Sequence, residues 1–361
     1  MTQADVFMAQ ALQLAEQALF TSAPNPAIGC VIVRDQQIIG QGYTQAPGGN
    51  HAEIEALSDA QAKGHDVRGA TVYVTLEPCS HFGRTPPCAD ALVRAGVGKV
   101  VAAMLDPNPQ VAGQGFARLQ AAGIIVESGV LAEQAYEMNI GFFSRMQRGK
   151  PWVRLKVAAS LDGKTALYNG QSQWITSPAA RDDGHLWRAR AGAILTGIGT
   201  VKEDNPQLTV RAVPVARQPL RVIIDSKLSI APLARILDGD ATLIFSAIDN
   251  AEKKAILQAR GAEVIVLPNA QGKVDLPQVI QELGRRQMNE VHIEAGAKLN
   301  ASLIQEGCVD ELLVYLAPSI LGDARGMFAL PELENLQDKF SLKFHQIKQV
   351  GEDIRILARF L

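Results

Sequence analysis

Three residues with metal-ligand chemistry stand in a telling order. His51 opens the run His51-Ala52-Glu53, Cys79 follows Pro78, and Cys88 follows Pro87. One imidazole and two thiolates suit Zn²⁺, and a set of three leaves the fourth coordination position to water, the mark of a catalytic rather than a structural site. A zinc ion lowers the pKa of such a water toward neutrality. Glu53 then stands two residues from the histidine, placed to take the proton and hand it to a substrate. Taken singly, a buried cysteine or a capping histidine is the commoner role for each residue; the combination points to chemistry.

This is the arrangement of zinc-dependent base deaminases, in which the glutamate is not itself a ligand. Their common pattern has two residues between the cysteines. Here eight intervene, Ser80 to Pro87. The insertion predicts a loop at the mouth of the metal site, with His81 and Arg84 as candidates for binding an anionic group such as phosphate.

The second half of the chain offers no clean dinucleotide fingerprint. Gly197-Ile198-Gly199-Thr200-Val201-Lys202 lacks the third glycine, so a Rossmann reading is rejected. Asp225, ending RVIID, reads as a strand-end turn residue rather than a ribose-binding acid. The run Glu294-Ala295-Gly296-Ala297-Lys298-Leu299-Asn300-Ala301-Ser302 passes from a strand into a short helix, whose free N–H groups suit a diphosphate. By itself it is equally well an ordinary strand–turn–helix junction.

The elements that must carry these residues are legible. Met8, Leu12, Ala15 and Leu19 recur at helical spacing and predict a first helix. IGCVIV and IIGQGY predict two strands joined at Arg34–Gln37. HAEIEALSDAQAKG predicts a helix ending at Gly64, ATVYVTLEP a buried strand, and Pro87 the first turn of a helix running to Gly96. VGKVVAAM, GFARLQAAG and IIVESGV continue the alternation. Gly149 and Pro151 mark a boundary within RMQRGKPWVRLK. Beyond it come strands at WVRLKVAA, AGAILTG, PLRVIID, ATLIFSA, AEVIVL, EVHIEAG and ELLVYLAP, with helices at AARDDGHLWRAR, between the later strands, and at ASLIQEG. The alternation predicts layered α/β architecture in both halves: residues 1–147 as a zinc-dependent deaminase domain and 150–361 as a second α/β domain.

Composition narrows the classes. The 361 residues are 47% hydrophobic and 20% charged, with a net charge of −2. That balance is globular and argues against a protein built to coat nucleic acid. No apolar run is long enough to cross a membrane. Four cysteines, Cys30, Cys79, Cys88 and Cys308, are too few for a disulfide scaffold, and the first twenty residues lack a signal-peptide pattern, so a cytoplasmic setting with reduced thiols is expected. Cys30 and Cys308 read as core residues, and His65, His185, His292 and His345 show no ligand-like neighbours.

With HAE, TLEPCSHFGRTPPC, DPNPQVAGQG, KVAASLDGKTA, SQWITS, DNPQLTVR and EAGAKLNASLI in this order, the sequence resembles the bifunctional deaminase/reductases of riboflavin biosynthesis over nearly its whole length. The resemblance implies a cytidine-deaminase-like α/β/α sandwich followed by a dihydrofolate-reductase-like α/β domain. It implies deamination of 2,5-diamino-6-ribosylamino-4(3H)-pyrimidinone 5′-phosphate by the first, with Asn25 holding the pyrimidine and His81 and Arg84 the phosphate. It implies NADPH-dependent reduction of 5-amino-6-(5-phosphoribosylamino)uracil by the second. NADPH would lie against Ala158, Trp174, Thr200, Asp204, Ser226 and the turn Gly296, Ala297, Lys298, Leu299, Asn300, Ala301 and Ser302. The substrate would meet Ser172, Arg188, Gln207, Leu208, Arg211 and Glu294. Lys156 and Glu294 are both candidates for the polar part of the reduction, sequence does not choose between them, and Lys156 is equally well a solvent-facing strand residue. The family likeness also implies a homodimer or homotetramer formed through the second domain. Two other classes stand against this reading. A nucleic-acid base deaminase would want a basic track and stacking aromatics, but aromatics are 5% of the chain. A zinc-stabilised interaction module would want four ligands and has no use for Glu53.

Overall fold

A computed structural model describes residues 2–82, 86–109, 111–239 and 241–361. The chain divides into two compact units, Met1–Gly149 and Lys150–Leu361.

The first unit runs α1 (Gln3–Glu16), β1 (Gly29–Arg34), β2 (Gln37–Tyr43), α2 (Ala52–Ala62), β3 (Thr71–Val74), α3 (Cys88–Ala95), β4 (Lys99–Ala102), α4 (Gln114–Ala121), β5 (Ile125–Ser128), α5 (Ala132–Met138) and α6 (Ile140–Arg148). Its sheet has the order β2-β1-β3-β4-β5. β1 is antiparallel to β2 and β3, whereas β3, β4 and β5 are parallel. Asp35 and Gln36 turn the β1–β2 hairpin with φ of 50° and 62°, the left-handed pair that matches strand twist in a two-residue loop. Strand alternation supplies both faces of the sheet. Ile32, Val72, Val74 and Val100 pack one way, with Ala56, Leu92 and Leu119. Val31, Val33, Tyr73 and Val101 pack the other way, with Phe7, Met8 and Leu12. The result is an α/β/α sandwich.

Thr2 and Asp5 close a capping box at the start of α1. Leu19 lies beyond that helix. A Cβ on Gly29 would sit 1.8 Å from the Ala11 carbonyl oxygen, so helix backbone rests directly on the strand. Pro87 serves as N-cap of α3 rather than as a residue of its first turn. The helices α5 and α6 escape sequence reading because Asn139 interrupts their periodicity. Its buried amide accepts from Ala27 N (2.7 Å) and donates to Ala27 O (2.9 Å), tying the junction to the segment PNPAIG.

The second unit comprises β6 (Trp152–Ser160), β7 (Lys164–Ala166), α7 (Pro178–Arg190), β8 (Ala193–Gly197), α8 (Ile198–Asp204), β9 (Leu220–Ile224), β10 (Thr242–Ser246), α9 (Ala251–Gln258), β11 (Ala262–Val266), α10 (Leu276–Arg285), β12 (Glu290–Ile293), α11 (Ala297–Gln305), β13 (Glu311–Ala317), β14 (Arg325–Gly326), β15 (Leu342–Val350) and β16 (Asp353–Phe360). Nine strands form one sheet, ordered β11-β10-β9-β8-β12-β6-β13-β16-β15. The strands from β11 to β13 in that order are parallel, and β16 and β15 extend the sheet antiparallel. Between β9 and β10 there is only a single 3₁₀ turn, Arg235–Leu237, where the alternation led us to expect a helix. Pro232 and Gly239 leave too short a run there.

β8 and β12 are neighbours whose onward connections run in opposite directions across the sheet, β8 toward β9 and β12 toward β13. Crevices at the carboxyl ends of such strands are where open α/β sheets bind ligands.

One face of β6, β12 and β13 carries buried charge. Arg154 donates to Glu290 (2.7 Å) and Glu311 (2.6 Å), Arg190 reaches Glu290 (2.6 Å), and Arg359 reaches Glu311 (3.0 Å). Burial alone would raise the Glu290 carboxyl, but Arg190 and Arg154 reverse that and hold it below its ordinary value. Glu311 is likewise held low by Arg154 and Arg359 against its burial. These groups therefore add stability above the ordinary carboxylate pKa and lose it as pH falls through their depressed values. Arg154→Met leaves both carboxylates short of a partner and should cost about 3–5 kcal/mol at pH 7. Without Arg154 the folded-state pKa values rise, so the deficit should shrink as pH drops toward 4. Denaturant unfolding of both proteins at several pH values checks the sign; a deficit independent of pH would contradict it.

Candidate active site

The metal-ligand candidates come from three separate segments. His51 is the N-cap of α2, with extended backbone (φ −78°, ψ 164°) and a side chain that makes no cap hydrogen bond. That helix lies close on β2 because Gly40 and Gly42 leave room. A Cβ on Gly42 would be 2.4 Å from Glu55 Cβ, and one on Gly40 2.4 Å from the Ala56 carbonyl oxygen. Cys79 follows β3. Cys88 is the first residue of α3, and its N–H donates to Cys79 Sγ at 3.3 Å, while Ala89 N–H donates to the Cys79 carbonyl at 3.1 Å.

The three donor atoms lie within 4.8 Å of one another. His51 Nδ1 is 3.6 Å from Cys79 Sγ and 3.4 Å from Cys88 Sγ. Tetrahedral zinc with Zn–S of about 2.3 Å and Zn–N of about 2.0–2.1 Å requires N···S edges of about 3.6 Å. The residues present thus fit a zinc ion in donor type and in spacing. Hydrogen bonding from Cys88 and from His51 lowers Cys79 to about 4, while Cys88, which keeps the proton against Cys79 in a buried position, is raised. His51 is raised by its contact with Cys79.

Glu53 sits in the first turn of α2 and is 4% exposed. Burial, reinforced by Cys79, lifts its carboxyl to about 7. Asn25 lies half-buried ahead of β1, and His81 is half-buried after Cys79. The Oγ of Ser80 and the Nδ1 of His81 are buried with no hydrogen-bond partner among the described residues. Arg84 lies outside the described residues.

In the second unit, Glu294 directly follows β12 and meets Arg188 of α7 in a two-pronged ion pair, with Nε at 2.5 Å and a terminal nitrogen at 2.8 Å. Burial would raise Glu294, but Arg188, Lys156 and His292 hold it well below the carboxylate range. Lys156 lies one position beyond the paired residues Leu155 and Ile293 on β6 and β12. Burial lowers its ammonium, and Glu294 opposes that shift. Arg188 also donates to the Thr209 carbonyl, 3.1 Å away, which brings it to the segment bearing Gln207, Leu208 and Arg211. Gln207 is half-buried, Leu208 buried and Arg211 exposed.

Gly296 is the N-cap of α11, at the end of β12, and Gly197 the N-cap of α8, at the end of β8. A Cβ on Gly197 would reach Leu299 at 3.0 Å, and one on Gly296 would be 3.9 Å from Thr200 Oγ1. The two glycine turns therefore adjoin. Within the turn, Ala301 packs into the core, Asn300 is 2% exposed and donates to the Met327 carbonyl, and Ala297, Lys298, Leu299 and Ser302 lie at or near the surface. Ala158 and Ser172 are half-buried and Asp204 is exposed. Trp174 is exposed, with Arg181 stacked 4.3 Å above its ring. Ser226 Oγ accepts from Val274 N at 3.1 Å, and Asp225 is spent on its turn, accepting from Ser229 Oγ and Ile230 N. His292, read from sequence as without useful neighbours, is buried with its Nε2 3.2 Å from Glu294 Oε1. Strand periodicity held that signal, since residues 290, 292 and 294 share one face.

The fold and its two sites define a zinc-type pyrimidine deaminase joined to a dihydrofolate-reductase-like reductase. Residues 1–104 match the cytidine and deoxycytidylate deaminase zinc-binding region, and residues 151–356 match the RibD C-terminal domain. The chain is 47% identical to the riboflavin biosynthesis protein RibD of Escherichia coli, covering 98% of each. Acinetobacter baumannii RibD superposes with a TM-score of 0.89 at 42% identity, covering 99% of each chain. A Thermotoga maritima diaminohydroxyphosphoribosylaminopyrimidine deaminase/5-amino-6-(5-phosphoribosylamino)uracil reductase gives a TM-score of 0.90 at 32% identity, again covering 99% of each. The chain belongs to the RibD family, and it is a bifunctional deaminase and reductase of riboflavin biosynthesis.

Thiol reactivity should follow this geometry. Cys30 is fully buried and raised by that burial, and Cys308, also buried, is pushed up to about 12. After chelation, iodoacetamide should modify Cys79 before any other cysteine; zinc should protect Cys79 and Cys88 together. Peptide mass analysis reads the order, and early labelling of Cys30 or Cys308 would contradict it.

Proposed function

We propose that the first unit deaminates 2,5-diamino-6-ribosylamino-4(3H)-pyrimidinone 5′-phosphate and that the second reduces the ribosyl chain of 5-amino-6-(5-phosphoribosylamino)uracil with NADPH. The observation that carries the first assignment is the convergence of His51, Cys79 and Cys88 beside a buried carboxyl. His51, Cys79 and Cys88 would hold zinc, which when bound supplies Lewis acidity and a hydroxide-strength nucleophile at neutral pH. Glu53 is the proton carrier. As the carboxylate it takes the first proton from the attacking water and gives it to a ring nitrogen, then takes the second from the new hydroxyl and gives it to the departing amine, so that water enters and neutral ammonia leaves. The unpaired Ser80 Oγ and His81 Nδ1 support a polar group of the substrate at that edge. Asn25 would orient the pyrimidine, and Arg84 would add charge for the phosphate.

In the second unit, two adjoining glycine turns at the carboxyl ends of β8 and β12 support a nucleotide site, with Gly296–Ser302 and Thr200 toward a diphosphate. Ala158, Trp174, Asp204 and Ser226 are further cofactor candidates. A bound nicotinamide would supply hydride chemistry at C1′ of the sugar, and the chain would supply the balancing proton. Glu294, held low by Arg188, is the poorer proton donor of the two, and Lys156, which interacts with that carboxylate, is the donor this reading assigns. Arg188 and Arg211 would meet the substrate phosphate, with Ser172, Gln207 and Leu208 shaping the pocket.

The free cysteines support a reducing, cytoplasmic setting. β15 is exposed along nearly its whole length, with Phe344 and Ile347 uncovered, which supports self-association through the reductase unit.

Glu53→Gln should retain zinc yet slow ammonia release about 10²–10⁴-fold, while reduction of pre-deaminated substrate continues. Ammonia release at the native rate would refute the proton-carrier role. Lys156→Met should slow NADPH oxidation by about 10²-fold or more with cofactor binding, read by fluorescence, unchanged. Unaltered turnover would remove Lys156 as donor.

A further inference from the structure

The deaminase unit contains a buried carboxylate that no step above uses. Glu77 lies between β3 and Cys79 and is 3% exposed. Its Oε2 accepts from Asp106 N (3.1 Å) and Gly113 N (3.0 Å), and its Oε1 from Gly115 N (2.9 Å) and Phe116 N (3.2 Å). An ionised carboxylate is an acceptor only, with about four lone-pair sites. Here every one is taken by a backbone N–H of the segment that ends at the start of α4. The contact is close at the backbone as well, since a Cβ on Gly115 would be 2.0 Å from the Pro78 carbonyl oxygen. Two residues later along the strand exit stands Cys79.

Further along α4, Arg118 donates to the Ser80 carbonyl (3.0 Å) and to both Asp90 oxygens (3.0 and 3.1 Å). Ser80 follows Cys79, and Asp90 is on the first turn of α3, two residues after Cys88. One short helix thus grips the chain on both sides of the first thiol and the helix that starts at the second.

We propose that Glu77 and Arg118 are positioning residues that set the spacing of Cys79 and Cys88, and through it the affinity and geometry of the metal site. The inference rests on the zinc reading above. It distinguishes a carboxylate from its isostere: glutamine would turn an amide N–H₂ toward two backbone N–H donors and release one half of the grip.

The test uses the full-length chain. Zinc affinity is measured by competition with a chromophoric chelator, the ligand field by the visible bands of the cobalt-substituted protein, and integrity by reduction of pre-deaminated substrate in the same sample. Glu77→Gln should keep the reductase rate, weaken zinc about 10–100-fold, the range for losing an outer partner of a ligand, and shift the cobalt bands. Arg118→Ala, a half-exposed and milder change, should weaken zinc roughly threefold to tenfold, below that range. If Glu77→Gln does not fold, Arg118→Ala decides. Folded variants with zinc affinity within twofold of the unaltered chain and unmoved cobalt bands would overturn the inference. An unaltered chain that binds no zinc would instead refute the metal reading itself, and the inference with it.

Discussion

Two thiols and an imidazole, drawn from three segments, are packed within 4.8 Å in a largely buried corner. Electron-rich atoms do not gather so closely without something positive between them. The same crowding drives Cys79 down and Cys88 up. A divalent cation would answer it, and much of the first unit serves that end. Gly40 and Gly42 let α2 lie low enough on β2 to deliver His51. The start of α3 turns two N–H groups on Cys79. The same corner buries Glu53 and raises its carboxyl to about 7.

The second unit solves a related problem with opposite means. Its buried charges neutralise one another. On one face of β6, β12 and β13, acids and bases alternate from Glu311 through Arg154 and Glu290 to Arg190, and then, past His292, to Glu294, Arg188 and Lys156. The first stretch is enclosed and serves stability. The last stretch lies where β8 and β12 end and their connections part, so there the same device pairs Glu294 with Arg188 at the carboxyl ends of the strands.

The parts of this legible in sequence are those whose meaning is local. His51, Glu53, Cys79 and Cys88 declare themselves by residue type and order, and the strands by their β-branched runs. Asp225 was correctly read as a turn residue because its role spans only five residues. What sequence hid depends on distant partners. Glu77 looks like one more acid until α4 folds against it, 36 to 39 residues on. His292 gains its neighbour from strand alternation, and the adjoining of Gly197 with Leu299 joins segments about a hundred residues apart. The helices α5 and α6 escape reading because Asn139 interrupts their periodicity, the short α8 because its pattern is brief, and the β15–β16 hairpin because β15 is exposed along nearly its whole length. The helix expected between β9 and β10 is absent because Pro232 and Gly239 confine that segment to one turn.

The central claim is that one metal ion is held by His51, Cys79 and Cys88. X-ray absorption at the zinc edge of the purified chain tests it most directly. The account predicts one zinc per chain with two sulfur neighbours at about 2.3 Å and two lighter ones at about 2.0–2.1 Å, one of them with the outer-shell scattering of an imidazole. A shell of four sulfurs, or one with no sulfur at all, would contradict it.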